Sequence, residues 1–170
     1  MLTQMLKRSQ TVQLDVEQLA EAHYDAIWRF CFRRVGQDMA ADATQETFLT
    51  ALKRASSFRG DSDAKTWLFG IALNVCRAMA RRTKRELPLD DIVELHARDG
   101  VPNLSAMRLA QALKKLSPEH QEAVILHELD GLSYLEIATI VGVPEGTVKS
   151  RMHHAMQALR KHLSPSEDVL

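Results

Sequence analysis

Within six residues, Lys149, Ser150, Arg151, His153 and His154 offer hydrogen-bonding side chains of a kind that grips anions. Lysine and arginine donate without accepting, serine does both, and imidazole as a group changes its charge near neutral pH. The surrounding stretch, 147–163, holds 4 basic and no acidic residues. That suits a polyanion, because phosphates repel carboxylates. Other chemistry is poorly provided for. Cys31 and Cys76 are the only cysteines, without C-x-x-C or Cys/His ligand spacing, so no metal site and no cofactor is expected. Two reduced core cysteines are the simpler reading of the pair, and a redox pair or metal ligands are the alternatives. His127-Glu128 begins an H-E-x-x-H pattern, but Gly131 stands where the second histidine would be. No G-x-S-x-G or phosphate loop is present, so an enzyme is not expected.

A helix is needed to present the residues 149–154 together. At about 100° per residue, Val148, Met152, Ala155 and Leu159 fall on one apolar face, with Ser150, His153, His154 and Gln157 opposite. Just upstream, Ser133 and Glu136 form an S-x-x-E capping box ahead of Ile137 and Ile140, and that helix stops at Gly142. A short turn and the basic helix follow. The pair reads as a helix-turn-helix, whose second helix is expected to enter the DNA major groove.

The rest of the chain is also helical in pattern. Val16, Ala20, His23, Ile27 and Phe30/Cys31 trace one stripe, and Gly36 and Asp38 read as a stop and a new N-cap. Ala40, Ala43, Thr47, Phe48, Ala51 and Ala55 trace a second. After the polar break 58–63, Trp67, Leu68, Ile71, Ala72, Val75, Cys76 and Met79 trace a third. Residues 86–104 lose the period, contain Pro88, Gly100 and Pro102, and are acidic, which marks a linker. Ser105–Leu116 is expected to form a helix, with Ser117 capping the next and Pro118 at its first position. The expected fold class is all-α: two small helical domains, 1–85 and 105–170, joined by that acidic linker.

Length allows one ordinary domain or two small ones. No apolar run approaches the roughly 20 residues of a membrane span, and the N-terminus has no signal-peptide core, so a cytoplasmic protein without membrane insertion is expected. The formal net charge is zero, yet the charges are segregated. Residues 53–85 carry 9 basic and 2 acidic side chains, and residues 86–146 carry 4 and 11. Two basic blocks flanking an acidic one imply two contact sites for a polyanion.

The segment 116–163, LSPEHQ…LRKHL, resembles region four of bacterial sigma factors. DATQETFLTAL at 42–52 resembles the D-x-x-Q-E-x-F segment of sigma region two, and 56–82 resembles the segment that melts the promoter and reads its minus-ten element. Together they cover nearly all of residues 20–163, in the order of the extracytoplasmic-function (group four) sigma factors. The resemblance implies a sigma factor that docks on core RNA polymerase, recognises and melts promoter DNA, and is held by an anti-sigma factor. It implies that Asp42, Gln45 and Glu46 dock on the polymerase. The loop Phe58, Arg59, Gly60, Asp61, Ser62 and Lys65 would hold a flipped base, with Asn74 beside that pocket. Extrusion costs a few kcal/mol, so Arg77, Arg81 and Arg82 would add phosphate contacts. His127, Thr147, Lys149, Ser150, Arg151, His153 and His154 would contact the minus-thirty-five element.

The chain departs from the family pattern at several positions. Ala64 and Lys65 stand where aromatic residues or arginine are frequent, and Gly70 where arginine is. His127, His153 and His154 stand where the family can carry arginine or an aromatic. Arginine forks onto guanine with a permanent charge, whereas imidazole gains its charge as pH falls. The linker spans about 60 Å when extended, against about 58 Å for promoter elements roughly 17 base pairs apart.

Overall fold

In this computed structural model the structure describes residues 14–84 and 104–164. The expected linker, apart from Leu104, lies outside the described residues, as do the ends of the two expected domains. Every regular element among the described residues is helical. The first half contains α1 (Val16–Val35), α2 (Gln37–Arg54) and α3 (Ala64–Thr83), and the second contains α4 (Leu104–Lys114), α5 (Pro118–Val124), α6 (Tyr134–Val141) and α7 (Glu145–Leu163). No described helix is long and apolar enough to cross a membrane.

Local sequence sets the boundaries. Asp15 caps α1, accepting from the N–H groups of Glu17 and Gln18 at 3.1 Å. Gly36, at φ 80°, both ends α1 and stands as the N-cap of α2. Asp38 is therefore not a cap, contrary to the sequence expectation. It lies in the first turn of α2, where a carboxylate still favours the helix dipole. Ser117 caps α5 with Pro118 in the first turn. Ser133 and Glu136 complete the capping box of α6, and Gly142, left-handed at φ 75°, ends it. Beyond α5 the chain widens into a single π-helical turn, Ile125–Leu129.

Ile27, Phe30, Leu68 and Leu73 are fully or almost fully buried where α1, α2 and α3 meet, with Phe30 edge-on to Phe69 at 5.0 Å. Leu113, Leu116, Ile125, Met152, Ala155 and Leu159 form a second cluster in the other half. The apolar face expected for 148–159 is thus the buried face of α7.

The two halves touch, which no sequence pattern announces. Leu126, Leu132, Ile137, Ala138 and Val148 join the cluster of the first half, and α6 lies on α3. Polar groups fasten the seam. Arg33 donates to Asp130 through Nε at 3.0 Å and again through Nη2, and Arg34 Nη2 donates to the other carboxylate oxygen at 2.8 Å. The Asp130 side chain is 0% exposed. Arg34 also donates to the Phe30 carbonyl at 3.1 Å and stacks 3.5 Å above its ring. Arg77 holds both oxygens of Glu122, at 2.8 and 2.9 Å. Thr66 donates to Glu136 at 3.4 Å.

Candidate nucleic-acid interface

On α2, Asp42, Gln45 and Glu46 are all exposed and share one face, as their i, i+3, i+4 spacing requires. Leu49 and Leu52 extend that surface, 42% and 55% exposed. Two apolar side chains of this size thus stand bare beside the acidic groups. The sequence reading named the acids and missed the leucines, although their i+4 and i+7 spacing from Gln45 was there to be read.

The loop between α2 and α3 folds over Trp67. Phe58 is buried, its ring centroid 5.2 Å from that of Trp67, so it supports the loop from beneath. Arg59, Gly60 and Asp61 are exposed, and Ser62 and Lys65 half-buried. Ser57, Phe58, Arg59, Asp61, Ser62 and Trp67 line a cavity of about 230 Å³.

Asn74 is exposed but does not line that cavity. It lies seven residues beyond Trp67, about 10 Å along the helix. It lines a different cavity, of about 310 Å³, with Glu46, Thr50, Arg54 and Arg82. Asn74 thus faces α2 at that second cavity, further along α3 than the Phe58–Trp67 loop. Arg81 and Arg82 are exposed and open to an anion, whereas Arg77 is held by Glu122 across the seam.

In the second half, α7 presents Lys149, Ser150, His153 and His154 to solvent, with Thr147 and Arg151 half-buried at its edges. Lys149 pairs with Glu145 one turn back at 2.8 Å, which moderates the basic face. No side chain caps the start of α7, so its positive dipole end remains available to an anion. His120, from α5, joins the histidine pair, its ring 6.1 Å from that of His154, while His153 and His154 lie 5.7 Å apart. Glu119 stands beside them. Its own backbone N–H and the Ser117 hydroxyl hold its carboxyl below the usual value, and Arg151 and His120 add to this. Among the described residues no group of three or more such side chains is arranged to hold a metal.

His127 is set apart from that surface. It is half-buried in the π turn, where its Nδ1 donates to the Leu132 carbonyl at 2.8 Å and its ring packs 4.6 Å from Tyr134. Only Nε2 faces outward, 4.0 Å from Glu128. His127 is thus a brace for the entry to the helix-turn-helix with one nitrogen to spare.

The family model for Sigma-70 region 2 matches residues 19–86, and that for Sigma-70, region 4 matches 106–159. RNA polymerase sigma factor YlaC of Bacillus subtilis is 31% identical over 167 residues, covering 90% of this chain and 94% of its own. The chain is an extracytoplasmic-function sigma factor of the sigma-70 family. The ECF RNA polymerase sigma factor SigE of Mycolicibacterium smegmatis is 34% identical over 158 residues. That match covers 87% of this sigma factor and 61% of SigE. In the solved structures, the sigma factor RpoE of Bartonella quintana, in complex with the anti-sigma factor NepR, superposes with a TM-score of 0.64 at 29% identity. The alignment covers 88% of this sigma factor and 97% of that chain.

The comparisons assign α1–α3 to region two and α4–α7 to region four. The seam formed by Arg33, Arg34, Asp130, Arg77 and Glu122 was missed from sequence. Its one visible sign is an Arg-Arg pair continuing a stripe that is apolar up to Cys31.

Proposed function

We propose that this sigma factor docks core RNA polymerase through Asp42, Gln45 and Glu46, and that region two (1–85) and region four (105–170) read the two promoter elements. The observation that carries this reading is a pair of basic, exposed helical surfaces, α3 near Arg81 and Arg82 and α7 near Lys149 to His154, in one chain with region-two and region-four matches in family order. Phosphate contacts position such surfaces, and base contacts specify them. Arg59, Gly60, Asp61, Ser62 and Lys65 would hold an extruded base over the Phe58–Trp67 pair. Asn74 and Arg82 would guide the strand beside it, and Arg77 would join them once released from Glu122. Thr147, Lys149, Ser150, Arg151, His153 and His154 would address the minus-thirty-five element, with His127 offering Nε2.

The protein would act as an initiation factor in the cytoplasm, leaving catalysis to the polymerase, and an anti-sigma factor would hold it inactive. The Bartonella protein's co-crystal with its anti-sigma factor supports that last partner. Run-off transcription from a genomic promoter library tests the reading. Core polymerase with this protein should yield discrete start sites that core alone does not. Gel shifts should show tight promoter binding only when core is present. Start sites unchanged by the protein, or tight sequence-specific binding by the free chain at physiological salt, would count against it.

A further inference from the structure

The exposed basic surface of region four does not end with the residues assigned to the minus-thirty-five element. Lys149 to His154 occupy the second and third turns of α7, a helix of 19 residues. From Lys149 to His162 the helix rises about 20 Å, whereas the major groove is about 12 Å wide. A helix with its first turns in the groove therefore carries its last turns past the groove wall, to the sugar–phosphate backbone. Those last turns hold Arg160, Lys161 and His162, all exposed. Lys161 comes seven residues after His154 and continues the same side of the helix. Beside this end, α4 brings charge of the same sign. Arg108, Gln111 and Lys115 share one exposed face by their i, i+3, i+7 spacing, with Leu113 and Leu116 turned to the core. Lys115 lies just past α4, but its N–H still donates to the Ala112 carbonyl at 3.2 Å, so the turn continues. These three side chains line a cavity of about 390 Å³ with Ala112, His162, Leu163 and Ser164. Among the described residues no carboxylate lines it, in a chain whose acids and bases are equal in number.

The geometry points to a second DNA-contacting surface on region four: Arg108, Lys115, Lys161 and His162 hold the sugar–phosphate backbone of duplex DNA beside the element that α7 reads. This rests on region four reading the minus-thirty-five element, and it adds contacts that position the protein without carrying sequence information. The donors suit phosphate. Arg108 offers a planar fork that takes two oxygens at once, Lys115 and Lys161 offer point charges, and the Gln111 amide donates to a third kind of oxygen, that of an ester or sugar. Two observations favour DNA over a protein as the occupant. The surface continues the exposed side of α7, one backbone away from the reading residues, so a duplex lying on the first part of α7 already passes the second. The lining is also mostly charged and polar, with only Ala112 and Leu163 apolar. The centre of a protein–protein interface is depleted of charge, whereas protein–DNA interfaces are strongly basic and wet.

The test is a salt titration. The full chain is titrated by fluorescence anisotropy against a labelled duplex of arbitrary sequence, from low to physiological salt. Arg108→Gln/Lys115→Gln should weaken binding severalfold and make the slope of log affinity against log salt shallower by about 2, close to one unit for each lost phosphate contact. Both side chains are exposed, so circular dichroism should be unchanged. Arg108→Lys/Lys115→Arg keeps the charges and should keep the slope, which a packing role would not predict. A second arm uses holoenzyme on a promoter mapped by run-off transcription, with single base changes in its minus-thirty-five element. There the glutamine pair should lower affinity by one common factor on every version, whereas Lys149→Ala/Ser150→Ala should alter their ranking. If the ranking ignores Lys149 and Ser150 while the glutamine pair still weakens binding, the reading by α7 fails and the backbone surface stands. The proposal is overturned if the glutamine pair matches the natural chain in affinity and slope on arbitrary duplex, or if exchanging lysine and arginine fails to preserve the slope. Unchanged affinity and slope would leave the groove to an acidic protein segment, such as the one that carries Glu167 and Asp168.

Discussion

Glu46 stands where the docking surface and the strand-guiding surface meet. It belongs to the exposed acidic face of α2, and it lines the same cavity as Asn74 and Arg82 on α3. Among the described residues its one tether is a long 3.5 Å hydrogen bond from Thr50, so replacing it should leave the fold intact. Glu46→Lys is expected to weaken binding to core polymerase about tenfold, equivalent to about 1.4 kcal/mol, with Glu46→Gln intermediate. Fluorescence anisotropy of a labelled chain titrated with core measures this, and equal affinities would remove Glu46 from the docking surface. The histidine pair of α7 carries a prediction of opposite sign. Next to DNA phosphates the charged imidazole is favoured, so holoenzyme binding should strengthen as pH falls from about 8 to about 6. His153→Arg/His154→Arg should bind more tightly and respond less to pH. A natural protein no steeper in pH than the variant would rule out the role. The exposure of this pair was readable from the helical wheel. The bracing role of His127 was not, because the π turn that holds it and the fold-back that brings the Leu132 carbonyl to its Nδ1 are encoded by no local pattern.

Among the elements, α3 is built against its own propensity at one point. Gly70 lies in mid-helix, and a Cβ added there would meet nothing within 4 Å. Gly70→Ala should therefore raise stability by about 1 kcal/mol, read as a higher denaturant midpoint with an unchanged slope. A lower midpoint would mean that the open space is needed. In α6, Glu136 is partly buried, which raises its carboxyl. The backbone N–H and hydroxyl of Ser133, with Lys65 and Thr66, outweigh burial and hold it below its usual value. A depressed carboxyl contributes stability that is present above the unfolded value and lost as pH falls through the folded one. Glu136→Gln should thus cost about 0.5 kcal/mol at neutral pH, with the difference closing at acid pH; denaturation at both values checks it. Elements of this kind were largely legible. Apolar stripes place α1, α2, α3 and α7, and Ser117-Pro118, Ser133 with Glu136, and Gly142 mark the limits of α5 and α6. The error at Asp38 arose because one glycine ends α1 and begins α2, leaving no spacer for a separate cap.

At the scale of the molecule, segregated charge has a structural consequence that composition alone hides. Glu122, Asp130 and Glu136, all from the acidic stretch, are the groups that meet Arg77, Arg33, Arg34 and Thr66 of the first half. Periodicity could not show this, because it places apolar faces within each half and does not say which faces of the two halves meet. Asp130 is the critical member, since two arginines converge on one fully buried carboxylate. Replacing it with asparagine leaves both guanidiniums without a counter-charge. Stranding a buried charge costs about 3–5 kcal/mol. The chain has a cheaper course than unfolding: parting the halves returns Arg33 and Arg34 to water while α1–α3 keep the greater part of their core. Asp130→Asn should therefore enlarge the radius of gyration in small-angle X-ray scattering with little loss of helical circular dichroism. Parting the seam also frees Arg77 from Glu122, so the same variant should bind short single-stranded DNA more tightly, with a steeper dependence on salt. High salt alone should loosen the natural protein far less, because a buried pair is weakly screened. An unchanged radius in the variant would mean that the apolar contacts of Leu126, Leu132 and Ile137 hold the halves together without the ionic clasp.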